Sequence, residues 1–410
     1  MTRTVLFDAG RLLQRSGRTT PTGVDRVCLA YAEWLMGHPD VRFVPVRSRG
    51  DHLTALDRKW FGDLAASLRE RWTGNGIEEA ERALTDLLSR PRGSRSLSGP
   101  VSREREPRRQ AMARLLMSRA LPEVSQGTLY VNVGHSGLTS PRLLSKLAGD
   151  GARSVLMVHD LIPITHPEYC RPGEGARHRT RMRLALKQGS VLVVNSETTA
   201  RVLKTFAERE GLATPTVVVA HLGLEPPFVD PGWRPADRPY FVHVGTVEAR
   251  KNLTFLLTLW RRLEELGGSE TPALVLIGRN GWENESVMDH LERSPPLQGL
   301  VHQASELPDA ALSRLMRASR GVLAPSAVEG FDLPAVEAMA MGVPLIASDI
   351  EAHRELVPKA KLIDPLDGPR WLKAIGLAAR GDTQAPTFKP PTWSAHFRTV
   401  AEALQMRPGI

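Results

Sequence analysis

Two glutamates, Glu329 and Glu337, stand with seven residues between them in the run LAPSAVEGFDLPAVEAMAMG over 323–342. What lies between them gives the spacing its meaning. An apolar strand ends at Pro325-Ser326, and a turn passes through Gly330, Phe331 and Asp332. Leu333 then opens a helix with Pro334 in its first turn, where a missing N–H costs nothing. The helix runs to about Met341, Gly342 closes it and Pro344 lies just beyond. Unpaired N–H groups of a helix start thus sit at the carboxyl end of a parallel strand, where α/β sheets receive phosphate. Gly330 removes a side chain where the backbone must approach a ligand. Asp332 is expected as the helix N-cap. Glu337, in the second turn, can accept two hydrogen bonds from a ribose diol, and Glu329 is placed to face a sugar ring.

A second run, Gly245-Thr246-Val247-Glu248-Ala249-Arg250-Lys251-Asn252-Leu253, leaves a strand at 240–244 and opens an amphipathic helix over 253–265. Adjacent cations at a helix start oppose its dipole. Arg250 and Lys251 make sense with an anion between them and the amides. Arg279 lies in LVLIGRNGW over 274–282, a strand followed by a glycine-bearing loop. In the first half, VLMVHDLIPITHPEY over 155–169 sets His159 and Asp160 directly after an apolar strand. Asp160 either orients His159 or binds acceptor. TPTGVDR over 20–26 precedes the first long helix: Gly23 suits close approach to a ligand, and Asp25-Arg26 reads also as a capping pair. Ser196, after a strand at 190–194, reads as an N-cap.

These segments resemble glycosyltransferase family 4, whose members often read EGFGLPxxEAMA where this chain has EGFDLPAVEAMA, and which share G-x-x-x-x-R-K-N, HDLxP and an N-terminal glycine loop. The resemblance covers nearly all of 240–370, is looser over 1–230 and is lacking in 50–125. It implies the GT-B fold, two Rossmann-like domains facing across a cleft, with a last helix crossing back to the first domain. It implies retaining transfer of a hexose from a nucleotide-diphosphate sugar, with front-face attack assisted by the leaving diphosphate and no metal or other cofactor. His159 and Glu329 would be the catalytic pair at the transferred sugar. Gly23, Arg250, Lys251, Gly330, Phe331, Asp332, Leu333 and Glu337 would hold the donor, with Arg279 near the nucleotide. GDP-mannose is the first expectation for the donor and UDP-glucose the second. Asp332 stands where the family has glycine. An acid there repels a diphosphate unless its side chain turns away to cap the helix.

The elements that position these residues follow from periodicity. Alternating apolar strands and helices over 1–232 and again over 238–391 predict two α/β domains, which the resemblance implies are acceptor-binding and donor-binding in turn. Residues 392–410 carry the crossing helix. Five prolines in the fifteen residues of 225–239 mark the linker. Gly10 to Gly23 reads as a polar loop, and 85–125, dense in Arg, Ser, Pro and Gly, reads as a mobile insertion. Charge is uneven: residues 1–238 hold 36 Lys and Arg against 25 Asp and Glu, and 239–410 hold 18 against 20. The basic half suits an anionic membrane surface, a phosphorylated acceptor or nucleic acid. A lipid-diphosphate-linked or other glycan acceptor of polysaccharide or O-antigen assembly fits the first two. Nucleic acid lacks interleaved aromatics, at 5% Phe, Trp and Tyr, and is not expected as a partner. No apolar run has membrane-spanning length, no secretory leader is apparent, and the two cysteines imply neither disulfide framework nor zinc site, so a cytoplasmic protein is expected, peripheral to the membrane's inner face at most. The rival readings are an inactive GT-B scaffold and a nucleic-acid binder using the basic half.

Overall fold

The computed structural model describes residues 2–73, 77–94, 97–100, 118–138, 140–225 and 233–407. They form two α/β units, each on its own sheet. In the first, eight strands lie in the order Ser118–Arg119, His52–Leu56, Val41–Arg49, Arg3–Asp8, Leu129–Asn132, Arg153–Val158, Val191–Val194, Thr216–Val219. His52–Leu56 pairs antiparallel with both its neighbours, and all the other pairings are parallel. In the second, seven parallel strands lie in the order Lys361–Ile363, Leu345–Ser348, Gly321–Ala324, Tyr240–Val244, Ala273–Ile277, Val301–Ser305, Leu97–Pro100. Val191–Val194 reads VLVV and Ala273–Ile277 reads ALVLI, buried at every position. Strands covered by helices on both faces must read this way.

Two stretches depart from the sequence expectation. The polar run after the first strand contains a short helix, Gly10–Arg15, which buries Leu12 and Leu13. The helical pattern of 77–88 does form helix Ile77–Leu88, burying Ala80, Leu84 and Leu87. Leu97–Pro100, expected as part of a mobile insertion, pairs in parallel with Val301–Ser305 and so extends the sheet of the other domain. A sheet edge offers unpaired N–H and C=O groups, so backbone pairing recruits a segment whose side chains carry no apolar pattern. Residues 101–117 lie outside the described residues, as do 226–232 of the expected linker.

Helix Trp393–Ala403 crosses back to helix Gly23–Gly37 of the first domain. Tyr31 and His396 share a 2.8 Å hydrogen bond, and Trp34 stacks on Phe397 with ring centroids 4.5 Å apart. Elsewhere Glu355 of the second domain caps a first-domain helix. It accepts from the amides of Glu197 at 2.7 Å and Thr198 at 2.9 Å, and lies 2.8 Å from His221 Nε2. Burial opposes the charge on Glu355, but these donors outweigh it and hold its pKa down at about 2.

Each sheet has a point where successive connections leave in opposite directions. It falls between Arg3–Asp8 and Leu129–Asn132 in the first domain, and between Tyr240–Val244 and Gly321–Ala324 in the second. Such reversals open a crevice at the carboxyl ends of the strands.

Candidate active site

The two motif loops of the second domain leave the neighbouring strands at that crevice, Gly245–Asn252 from one and 325–332 from the other. The amide of Ala327 donates to Arg250 O at 2.8 Å and ties them together. Arg250 reaches Glu248 at 2.6 Å and Glu329 at 2.5 Å. Lys251 Nζ lies 2.6 Å from Glu329 and 3.3 Å from Asp332. Burial works against the charge on Lys251, but Asp332 and Glu329 outweigh it and raise its pKa. The same burial pushes Glu329 up, while Arg250 and Lys251 pull it further down, below the usual carboxylate range. Glu248 goes the other way, because burial there exceeds what the two cations return. The cations foreseen around a diphosphate are thus already matched by carboxylates of the chain itself.

Asp332 corrects one expectation. It occupies the N-cap position of helix Leu333–Ala340, but makes no side-chain cap bond and holds a left-handed backbone, φ 55° and ψ 66°. Its carboxylate turns inward, one oxygen to Lys251 and the other 3.0 Å from His353 Nε2. A buried lysine is a stronger partner for a buried carboxylate than two helix-end amides. Gly330 does allow a close approach, but of protein: a Cβ there would lie 2.4 Å from His159 O of the first domain. Ser196, which caps helix Glu197–Arg209 as expected, also donates its hydroxyl to Gly330 O at 2.8 Å. Phe331 is buried in the apolar core, and its ring approaches His221.

Across the gap, Gly23 faces Leu333, whose Cδ1 lies 3.2 Å from where a Cβ at Gly23 would stand. Asp25 closes a capping box with Thr22, its N–H donating to the Thr22 hydroxyl and its carboxylate accepting from Thr22 N at 2.8 Å. Arg26 leaves that pair to make a two-pronged contact with Asp309 of the second domain. Glu337 lies near this contact. Burial raises its pKa to about 7, with Arg26 pulling the other way. Arg279 reaches Thr20 at 3.1 Å and Glu306 at 3.2 Å, so it stands at the mouth between the domains. Arg11 and Arg15 flank Asp25 from the same side, at 2.5 and 3.7 Å.

His159 follows strand Arg153–Val158, as its motif requires, and donates Nε2–H to Val133 O at 2.7 Å. Burial lowers its pKa and favours the neutral ring, in which Nδ1 carries no proton. Asp160 does not orient it; its carboxylate accepts from the amide of Ile162 at 3.0 Å. His135, missed in the sequence, stacks edge-on against His159 with centroids 5.2 Å apart, and burial holds its pKa well below the usual histidine value. His353, His243, Glu248, Arg11 and Arg15 were missed too. Only Glu248 carried a signal, standing two residues before Arg250. A cavity of about 300 Å³ opens beside the turn, lined by Asp160, Thr199, Glu329, Gly330, Glu351 and Arg354 among others.

Comparison with known proteins bears on the family and the fold. Residues 231–374 match the family model described as Glycosyl transferases group 1. The chain is 30% identical over 224 residues to the O-antigen chain mannosyltransferase B of Escherichia coli, a match covering 52% of this chain and 58% of that one. It is 26% identical over 229 residues to the serotype-specific mannosyltransferase WbdA of Escherichia coli, covering 52% and 28%. The chain therefore spans little more than half the length of one curated relative and under a third of the other. HepE of Anabaena, solved in complex with UDP and glucose, superposes with a TM-score of 0.60 at 15% identity, covering 98% of this chain and 99% of that one. The shared feature there is the fold, which is GT-B.

Proposed function

We propose that this chain, a GT-B protein whose second domain belongs to the glycosyl transferases group 1 family, transfers a hexose from a nucleotide-diphosphate sugar to an acceptor hydroxyl with retention of configuration and without a metal. The observation that carries the reading is the placement of Arg250 and Lys251. Both are held by Glu329 at the strand-order reversal of the second sheet, where a phosphate-bearing ligand belongs. The diphosphate takes over these cations and the amides of 330–333. Glu337 accepts from the ribose, and Arg279 stands at the nucleotide end. The acceptor oxygen attacks the anomeric carbon from the face that the diphosphate leaves. The bond from that carbon to the diphosphate breaks, and the acceptor proton passes to the departing phosphate oxygen. No side chain need be a strong base, in keeping with the neutral His159. His159 and Glu329, released by the diphosphate, hold the sugar and stabilise its developing positive charge.

The donor is GDP-mannose, a choice supported by the mannosyltransferase names of the relatives. UDP-glucose is the competitor. The acceptor is a glycan or lipid-diphosphate-linked glycan of polysaccharide or O-antigen assembly. Arg11, Arg15 and Arg279 at the mouth suit a phosphate-bearing group. A peripheral membrane contact through helix Glu174–Gln188 belongs to the same reading, although Glu174 and Glu210 already pair Arg177, Arg179, Arg181 and Arg183. Among the described residues no helix is long and apolar enough to cross a membrane.

The test is a panel of nucleotide sugars, read by thermal stabilisation and by hydrolysis, with and without chelator. Stabilisation by a GDP- or UDP-sugar that survives chelation and is weakened in Glu337→Gln supports the reading. Loss on chelation removes the metal-free part. A folded protein that answers to no nucleotide sugar is a scaffold.

A further inference from the structure

Asp332 is the one acid that the donor reading does not accommodate. It stands in the turn where the diphosphate would lie, at 7% exposure. Five groups face it from the surrounding elements: Lys251, Glu329 on its own turn, Glu337 on helix Leu333–Ala340, His243 on strand Tyr240–Val244, and His353 on helix Glu351–Leu356. His243 donates Nδ1–H to Leu323 O, and its Nε2 is without a hydrogen-bond partner among the described residues. His353 is fully buried, with Nδ1 2.8 Å from Ser348 O and Nε2 3.0 Å from Asp332.

A carbonyl oxygen only accepts, so Nδ1 of His353 carries a proton. The contact between Nε2 and the carboxylate needs one more, on either atom. In both cases the pair is neutral as a whole, and Lys251 at 3.3 Å favours the form with the proton on the ring. We propose that His353 is a positioning residue for donor binding: its second ring proton neutralises Asp332 and turns it away from the diphosphate. The inference rests on the donor reading above. With the pair intact, Asp332 adds no net charge to the site. Without that proton, a bare carboxylate faces the ligand's own negative charge in a water-poor pocket. Burial opposes the charge on His353, but Asp332 outweighs it and lifts the ring's pKa above the usual histidine value. Nucleotide affinity therefore holds below that pKa and falls as pH rises through it.

The probes are GDP and UDP, with Kd measured by calorimetry from pH 6 to 9 on the whole chain. His353→Gln is expected to weaken binding roughly tenfold or more at neutral pH, as loss of one member of a buried charged pair does. Asp332→Gly removes the acid from a backbone that glycine adopts freely. It should flatten the high-pH loss, and the double variant should regain the affinity of Asp332→Gly. Loss in His353→Gln that persists in the double variant overturns the proposal, because a structural histidine would behave that way. A high-pH loss unchanged in Asp332→Gly overturns it as well. A ¹⁵N spectrum of the free protein separates this from the donor reading. A ring protonated on both nitrogens, reverting to an ordinary histidine in Asp332→Asn, supports the pair. A ring indifferent to Asp332→Asn overturns it whatever binds. If neither nucleotide binds the wild type or Asp332→Gly, the donor reading falls and the role of the pair in binding falls with it, while the ring signal still decides whether the pair exists.

Discussion

The two crevices of this molecule share one grammar and differ in chemistry. Both open where strand order reverses, and both receive loops from the carboxyl ends of parallel strands. The second domain fills its crevice with charge: Arg250, Lys251 and His353 against Glu248, Glu329 and Asp332. The first domain sets two uncharged histidines in its own, with Arg11, Arg15 and Asp25 at the rim. His159 and His135 are held uncharged by burial. Asp8, hydrogen-bonded to Tyr130 at 2.9 Å, has its pKa raised to about 6 by burial, against which the Gly10 amide works. A site that must balance a diphosphate needs permanent cations, and the reacting sugar beside it needs polar groups that do not compete for them. The division lies between the domains.

The largest expected effect breaks the charged crevice. Lys251→Ala leaves Glu329 and Asp332 buried with one cation fewer. It should cost about 3–5 kcal/mol of stability and abolish transfer, as read by denaturant unfolding and a product assay. Stability within about 1 kcal/mol of the wild type would mean that the lattice of ion pairs does not hold the turn. His159→Ala sharpens the comparison from the neutral side. Turnover should fall about a hundredfold while the Kd for nucleotide stays unchanged; a parallel loss of nucleotide affinity would erase the division of labour. Glu337→Gln should do the reverse, raising that Kd roughly tenfold through one weakened charge-assisted contact with turnover at saturation retained.

Protons separate the two regions by sign. Asp8 has its folded pKa raised from 3.8 to about 6. Its contribution is present in full below about pH 4 and is lost as pH rises through about 6. Linkage puts its limit at about 3 kcal/mol. Asp8→Asn should flatten that part of the stability–pH curve, and a curve identical to the wild type removes Asp8 as its source. Glu355 has its folded pKa depressed from 4.5 to about 2. Its clasp on helix Glu197–Arg209 is therefore present above the ordinary glutamate pKa and lost as pH falls toward 2. Being half-buried, it is worth about 1 kcal/mol, the value of a helix cap. Glu355→Gln should lower the melting temperature by a few degrees near neutral pH and by less in acid. An equal drop at every pH would show that the carboxylate's charge does not matter.

Much of the donor side was legible before any coordinates. Strands, turn and helix around 323–342 follow from apolar runs, Pro334 in the first turn and Gly342 beyond the last, each acting on its immediate neighbours. Arg250, Lys251, Glu329 and Gly330 were singled out from such local grammar, and the fold brings all four together. The same grammar failed at Asp332. A rule of helix capping sees the next two amides, whereas the side chain answers to Lys251, 81 residues upstream, and to His353, 21 residues downstream. His135 and His353 sit in unremarkable text, and nothing local distinguishes them from solvated histidines. Leu97–Pro100 shows no apolar alternation and becomes a strand because the other domain leaves an edge to pair with.

Periodicity and end signals act over a few residues, so the two α/β halves, the loops at their strand ends and a cationic pair near a paired-glutamate turn could all be read from the chain's local text. Which acid answers which cation, which histidines are neutral, and that Asp332 points away from the helix it begins emerge from the fold alone. Those outcomes depend on burial and on distances of about 3 Å between residues far apart in the chain, and a buried charge takes whichever partner the fold delivers.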